Sequence, residues 1–250
     1  MKEILPSVEG CFVWKAFSEY KDLELVTRAG FGVCGAYPFD LKNAVWRGDG
    51  PLPAESDLEH TAGVMKLARL VSWKYPEVIP KEKLDDYLFG AEIHEIGERL
   101  TGDILDDGTR DSRRKDIEET IDVEAYLSLY APSLEHERGM RLFKEFRDKS
   151  TEFGRTLYCL DKTEAILQGL FYESKKYPCL LRYKQENFGG ISDKDKNSIE
   201  AVGSDNIVDC WSYGLYKKAG EKFEHIDVFL EIIQSAVFVV RSTGLTWVES

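Results

Sequence analysis

A chain of 250 residues, 43% of them hydrophobic, is long enough for one large domain or two small ones with a sizeable core. Its 45 acidic side chains outweigh 33 lysines and arginines, a net charge of -12, and this argues against a long polyanion such as duplex DNA as the main partner. A small phosphorylated ligand stays compatible, because a metal ion and one or two arginines supply local positive charge. Five scattered cysteines (Cys11, Cys34, Cys159, Cys179 and Cys210), odd in number and without a C-x-x-C, indicate neither a disulfide framework nor a structural zinc site. Reduced thiols in a cytoplasmic protein are the expectation. Glu3, Pro6 and Glu9 interrupt any signal-peptide core. The longest apolar stretch, Ile226 to Val240, contains Asp227 and Glu231 and is too short and too charged to span a bilayer, so no membrane partner is expected.

In chain order, residues 1–54 are mixed, with Gly30, Gly32, Gly35 and Pro38 breaking up the early part. Trp46-Arg47-Gly48-Asp49-Gly50-Pro51-Leu52-Pro53 reads as a loop. Ser56-Asp57-Leu58-Glu59 is a capping box, with Ser56 as N-cap and Glu59 three residues on. His60, Val64, Leu67 and Val71 share one face of the helix that follows, which should end near Tyr75-Pro76. His60 therefore lies in the first turn and points at the core. A lone histidine there is more often a hydrogen-bonded core residue than a ligand, and needs partners to mean more.

Pro80 opens the next helix, which should end near Gly102. Leu84, Tyr87, Leu88 and Ala91 form its core stripe at i, i+3, i+4 and i+7. Carried forward, that stripe reaches Glu95 and Glu98, with His94 on its edge. Buried, unpaired carboxylates are too costly to keep, which favours pairing with a metal. The alternative is that the stripe drifts and the acids are solvated. Gly90 and Gly97 inside the helix each cost about 1 kcal/mol relative to Ala, so close approach of another helix is a plausible reason for them.

Residues 104–113 read as a polar loop, and a helix from about Arg114 to Tyr130, with Ile117 and Ile121 inward, ends before Pro132. His136, among Glu135, Glu137 and Arg138, is expected in solvent. Phe153, Leu157, Leu160, Glu164, Leu167 and Phe171 mark a long helix with Asp161 on its inner side. Residues 184–206 read as a long loop or insertion, and two final helices fall near 207–219 and 224–241. With no repeat, no convincing linker and no run bounded like a sheet strand, the expectation is one all-α domain over residues 1–250. Its helical bundle has a core at about 45–183, and extra C-terminal helices follow.

The inward-pointing polar residues of three helices are His60, His94, Glu95 and Asp161. Two imidazoles and two carboxylates suit a divalent ion (Mn, Co, Mg, Zn or Fe) with positions left open for water and substrate.

Three segments sharpen this. Trp46-Arg47-Gly48 followed by Pro53-Ala54-Glu55-Ser56-Asp57-Leu58-Glu59-His60 resembles W-x-R-G…P-E-S-x-x-x-H. His94-Glu95-Ile96-Gly97-Glu98-Arg99-Leu100-Thr101-Gly102-Asp103 resembles H-D-x-x-E-x-x-x-G-D, the most specific of the three. Leu160-Asp161-Lys162-Thr163-Glu164-Ala165-Ile166-Leu167-Gln168 resembles the segment that bears the last metal ligand. Over roughly residues 45–175 the chain thus resembles the HD-domain metal-dependent phosphohydrolases, with the 5′-deoxynucleotidase branch as the best match. The resemblance implies an all-α fold, one catalytic metal and hydrolysis of a nucleoside monophosphate to nucleoside and phosphate. By position it assigns His60, His94, Glu95 and Asp161 to the metal, Glu98 and Asp103 to catalysis, and Arg47 to the substrate phosphate. Glu98 lies one turn from the ligand pair, within reach of a water, and Arg47 offers a planar fork to phosphate oxygens. Glu55 reads as a supporting residue, behind the metal ligands or at the helix start, rather than a catalytic one.

Two features depart from the family. His94-Glu95 stands where the family has His-Asp, and the longer glutamate can still ligate a divalent cation. The Trp46-Arg47 spacing also differs, so sugar and base preference do not carry over. Three functions follow: a phosphomonoesterase of nucleoside 5′-monophosphates, most readily the deoxy forms; a hydrolase of another phosphate ester or polyphosphate; or a nucleotide- or metal-binding regulatory domain without turnover. For the second, only Arg110, Arg113, Arg114 and Lys115 offer themselves as a basic patch. A homodimer is an analogy of fold alone.

Overall fold

The computed structural model describes residues 39–40, 45–46, 55–98, 112–174, 180–181, 193–218 and 223–241. The fold is all-α, apart from a two-residue antiparallel ladder, β1 (Phe39–Asp40) with β2 (Val45–Trp46), that pairs Phe39 with Trp46 and Asp40 with Val45. Trp46 thus ends a strand rather than opening a loop. Among the described residues no helix is long and apolar enough to cross a membrane.

Helix α1 (Asp57–Lys74) begins where the capping box places it. Glu59 donates its backbone N–H to Ser56 Oγ at 3.2 Å, and Ser56 returns its own N–H to Glu59 Oε2 at 2.8 Å. This satisfies two of the free donors at the helix start and fixes the phase that turns His60, Val64, Leu67 and Val71 inward. A single 3-10 turn over Lys81–Lys83 leads into α2 (Leu84–Ile93). This helix stops well short of Gly102. Residues 94–97 are tighter turns, in which Ile96 and Glu98 donate to the carbonyls three residues back, Ile93 at 3.2 Å and Glu95 at 2.9 Å.

Helix α3 (Ser112–Tyr130) corrects the expected inner face. Ile117 and Ile121 are each 60% exposed, whereas Asp122, Val123 and Leu127 are buried. The reason is the approach to the turn after α2. A Cβ added at Gly97 would lie 2.6 Å from Glu119 Cβ and 2.8 Å from its Cα, so the Glu119 side of α3 rests directly on that turn. Once residue 119 faces inward, the helical period brings in 122, 123 and 127 and turns 117 and 121 out. Gly90 meets the Phe153 ring in the same way, at 2.7 Å from the added Cβ, so both glycines mark close approaches as expected.

Helix α4 (Ser133–Asp148) follows Pro132 and was not assigned from the sequence. His136 on it is half-buried at the surface and bonded to Ser128 Oγ at 3.2 Å. Arg138 ties α4 to α2 through Asp86 Oδ1 at 2.7 Å and Asp85 Oδ2 at 2.6 Å. Helix α5 (Glu152–Ser174), 23 residues long, is the axis of the fold and packs on α1, α2 and α4 and on both final helices. Its buried line runs through Leu157, Leu160, Asp161 and Leu170, while Phe171 turns out.

The stretch read as a loop over 184–206 contains helix α6 (Asp193–Val202). The last two, α7 (Ile207–Lys217) and α8 (Ile226–Arg241), stand where expected. Arg241 clamps them to α5, reaching Glu173 at 2.6 and 2.7 Å and Asp209 at 2.5 Å. Among the described residues, apolar burial falls into two clusters. The larger joins α1, α2, α5, α7 and α8; the smaller holds Ile93, Ile96, Val123, Leu127, Leu142 and Phe143.

Candidate metal centre

His60 comes from the first turn of α1, His94 and Glu95 from the tight turns after α2, and Asp161 from the middle of α5. All four are buried, and one ligand atom of each lies within 4.8 Å of the others. His60 Nε2 is 3.1 Å from Asp161 Oδ1 and 3.4 Å from Glu95 Oε1, and His94 Nε2 is 3.3 Å from Glu95 Oε1. The two imidazole centroids are 5.5 Å apart.

The far side of each ring shows which nitrogen is available. His60 Nδ1 is 2.5 Å from Glu164 Oε2, and His94 Nδ1 is 2.6 Å from the Ala91 carbonyl oxygen. Both partners are acceptors, so each Nδ1 carries the donated proton and each Nε2 is left with a lone pair facing the carboxylates. His94 Nε2 is buried and makes no hydrogen bond despite its proximity to Glu95. Lone pairs of two nitrogens and two carboxylates thus converge on one buried point. A cation resolves that arrangement, and these N and O donors suit a first-row divalent ion. Burial pushes the Asp161 carboxyl up, but the Lys162 ammonium beside it holds it well below the usual carboxylate range, so it is an ionised donor.

Glu98 is buried beside this cluster, and its carboxylate, with those of Asp57 and Glu95, forms a group of equal spread. The structure thus brings together His60, His94, Glu95, Asp161 and Glu98. Arg47 and Asp103, the other two site residues expected from the motifs, lie outside the described residues, as do Arg110 and the side chains of Arg113, Arg114 and Lys115.

Two contributors were missed. Glu164, taken for a core position, orients His60. Asp57, taken for part of the capping box, is fully buried next to Glu95 and Glu98. A signal for Glu164 existed in Gly63, three residues after His60. A Cβ there would lie 2.3 Å from Glu164 Oε1, so the absent side chain makes the space that Glu164 occupies. Glu55, expected as support behind the ligands or at the helix start, is buried, groups with His60 and Glu164, and donates its backbone N–H to Tyr172 Oη at 3.0 Å.

Residues 41–202 match the sequence model of the family described as HD domain. No curated protein matches the chain. Among solved structures the chain is similar to a conserved hypothetical protein from Pyrococcus furiosus (19% identity, TM-score 0.53, covering 89% of this chain and 98% of that one). A Pyrococcus horikoshii protein is similar at 16% identity and TM-score 0.53, over 89% of this chain and 97% of that one. A predicted metal-dependent phosphohydrolase from Magnetospirillum magnetotacticum is similar at 16% identity and TM-score 0.51, over 86% and 96%. At these identities the likeness is one of fold.

Proposed function

The chain belongs to the HD-domain family, and from that premise we propose that it is a metal-dependent phosphohydrolase of small phosphate esters, with nucleoside 5′-monophosphates, deoxy forms included, as the first class to test. The observation that carries this reading is the buried convergence of His60, His94, Glu95 and Asp161, with both Nδ1 atoms already committed to Glu164 and Ala91. The name of the Magnetospirillum neighbour, a predicted metal-dependent phosphohydrolase, is in keeping with it.

His60, His94, Glu95 and Asp161 hold the ion. When bound, a divalent cation polarises a phosphoryl oxygen and lowers the pKa of water. The protein does the rest. Glu98, beside Glu95, orients the attacking water and takes its proton. Arg47 is assigned to the phosphate oxygens, where its fork neutralises charge and fixes the ester. Asp103 is assigned to the nucleophile or the leaving oxygen. The Glu164 carboxylate keeps His60 in one tautomer and one orientation.

A domain that binds metal or nucleotide without turnover is the second reading, and Glu95 in the place of the family's aspartate favours it. Phosphate release from a panel of nucleotides and other esters, with each of several divalent metals, separates the two. We expect exhaustive chelation to abolish release and also to lower the melting temperature. A ligand present at 100 times its Kd stabilises the native state by about 2.7 kcal/mol, and chelation removes that term. Readdition of metal should restore both. A chelated protein as stable and as active as before would overturn the assignment of these four residues.

Gly63→Ala tests the orienting carboxylate. The new methyl group would lie 2.3 Å from Glu164 Oε1 and 2.9 Å from its Cγ, so that side chain must shift, and residue 63 is itself none of the four ligands. Metal affinity should fall about 10–100-fold, the usual effect of disturbing a ligand's hydrogen-bond partner. Competition with a metal-binding dye measures it, and unchanged affinity would remove Glu164 from this role.

A further inference from the structure

A group of amines adjoins the metal cluster. Lys162 Nζ is 3.0 Å from Asp161 Oδ2, the oxygen not turned to His60. The same ammonium lies over the Tyr158 ring, 5.6 Å from its centroid, and Lys149 Nζ lies over that ring at 4.9 Å. Phe223 packs edge-on to Tyr158 with centroids 5.7 Å apart, and Lys218 Nζ lies over Phe223 at 5.9 Å. Three ammonium groups thus surround one aromatic pair in a protein whose net charge is -12. Burial, then the Lys162 and Lys218 charges, lower the Lys149 amine from its ordinary value, a sign that like charges are crowded there.

The placement of Lys149 is costly in a second way. Its φ is 51°, in the left-handed region, at the C-terminal cap of α4. Glycine is the usual residue at such a cap, because a Cβ is disfavoured there. The Lys149 ammonium donates to the Arg147 carbonyl at 3.3 Å and rests on Tyr158, yet the residue stands in a left-handed position among other lysines. An anion seated among the amines would offset the crowded charge.

We infer that Lys149, Lys162 and Lys218, arranged on Tyr158 and Phe223, form a second anion seat beside the metal cluster, so that the favoured substrate is a phosphate ester carrying a further anionic group. The inference rests on the phosphohydrolase reading for the first group, which sits at the metal. The second group is a phosphate or a carboxylate, and either would accept hydrogen bonds from the amines. Residues 218 and 223 lie beyond the segment that matches the family, which ends at 202. The C-terminal helices then contribute to substrate choice as well as to packing.

Three phosphonates that cannot be hydrolysed test this by calorimetry on the metal-loaded protein. Propylphosphonate carries one anionic group, phosphonopropionate adds a carboxylate, and propanediphosphonate adds a second phosphonate. We expect at least one doubly anionic probe to bind about tenfold to a hundredfold more tightly than propylphosphonate, the size of a charged hydrogen bond. The probe with the wider margin identifies the second group. In Lys149→Gly and in Lys218→Met that margin should shrink to within about threefold, less than one neutral hydrogen bond. Lys149→Gly should also melt no lower than wild type, since glycine suits the left-handed cap, so a lost margin cannot be blamed on unfolding. Equal binding of all three probes to wild type, or a margin that survives in both variants, would overturn the second seat. If the same wild-type preparation still releases phosphate from esters, only the second seat falls. If it releases none with any metal while the margin closes in the variants, the hydrolase reading falls and the seat stands.

Discussion

Asp161→Asn should leave a folded protein that no longer retains metal. Asp161 is buried on the central helix, with Oδ1 3.1 Å from His60 Nε2 and Oδ2 3.0 Å from Lys162 Nζ. Asparagine keeps the shape and loses the charge. A neutral amide oxygen is a weak ligand, and the amide nitrogen is a donor that would occupy the His60 Nε2 lone pair otherwise turned to the ion. The loss of a charged ligand should lower metal affinity by more than the roughly 10–100-fold that follows from disturbing a ligand's hydrogen-bond partner. Metal per protein after dialysis should drop to near zero, and phosphate release with it. Without metal the variant should still fold but melt below the chelated wild type, because the ionised Asp161, held low by Lys162, favours the folded state. Full metal content in Asp161→Asn would remove Asp161 from the ligand set.

Glu98→Gln should show the opposite pattern, with metal retained and turnover lost. Glu98 is buried against Glu95 and Asp57 and stands outside the group formed by His60, His94, Glu95 and Asp161. Glutamine preserves its size and its accepting oxygen but cannot take a proton. Turnover should fall about 10²–10⁴-fold, the share usual for general acid–base catalysis. Substrate affinity, supported elsewhere, should change little, so the loss appears in kcat rather than KM. Metal stoichiometry and single-turnover rate, measured on one preparation, decide the matter. A variant that loses its metal would make Glu98 a ligand, and one with wild-type rate would place the base elsewhere.

Much of the buried His–carboxylate cluster was legible because it depends on local rules. The capping box fixed where α1 starts, and the period of 3.6 then turned His60 inward. The stripe through Leu84, Tyr87, Leu88 and Ala91 carried forward to Glu95 and Glu98, both buried, although the backbone reaches them through tight turns rather than one long helix. What the sequence hid depends on contacts between distant segments. The inner face of α3 is set by where Gly97 lets it rest, and Ile117 and Ile121 give no sign of that. Helix α6 begins Asp193-Lys194-Asp195-Lys196, shows apolar residues only near its end at Ile199 and Val202, and packs beside α7. Pro132 was read only as the end of α3, although it also precedes the first turn of α4. Glu164 looked like one more turn of a core helix until the fold set it against His60, 104 residues earlier.

The division of apolar burial into two clusters bears on how such a centre assembles. His60 and Asp161 sit on helices of the larger cluster. His94 and Glu95 sit in the turn between Ile93 and Ile96, which belong to the smaller one. Neither hydrophobic core, however well formed, contains a complete set of donors. The coordinating point exists only at the seam, once both have docked. An ion there acts as a clasp across that seam. Hydrogen exchange should therefore slow most, on metal loading, in the turn at 94–97 and in the first turn of α1, where the two halves meet.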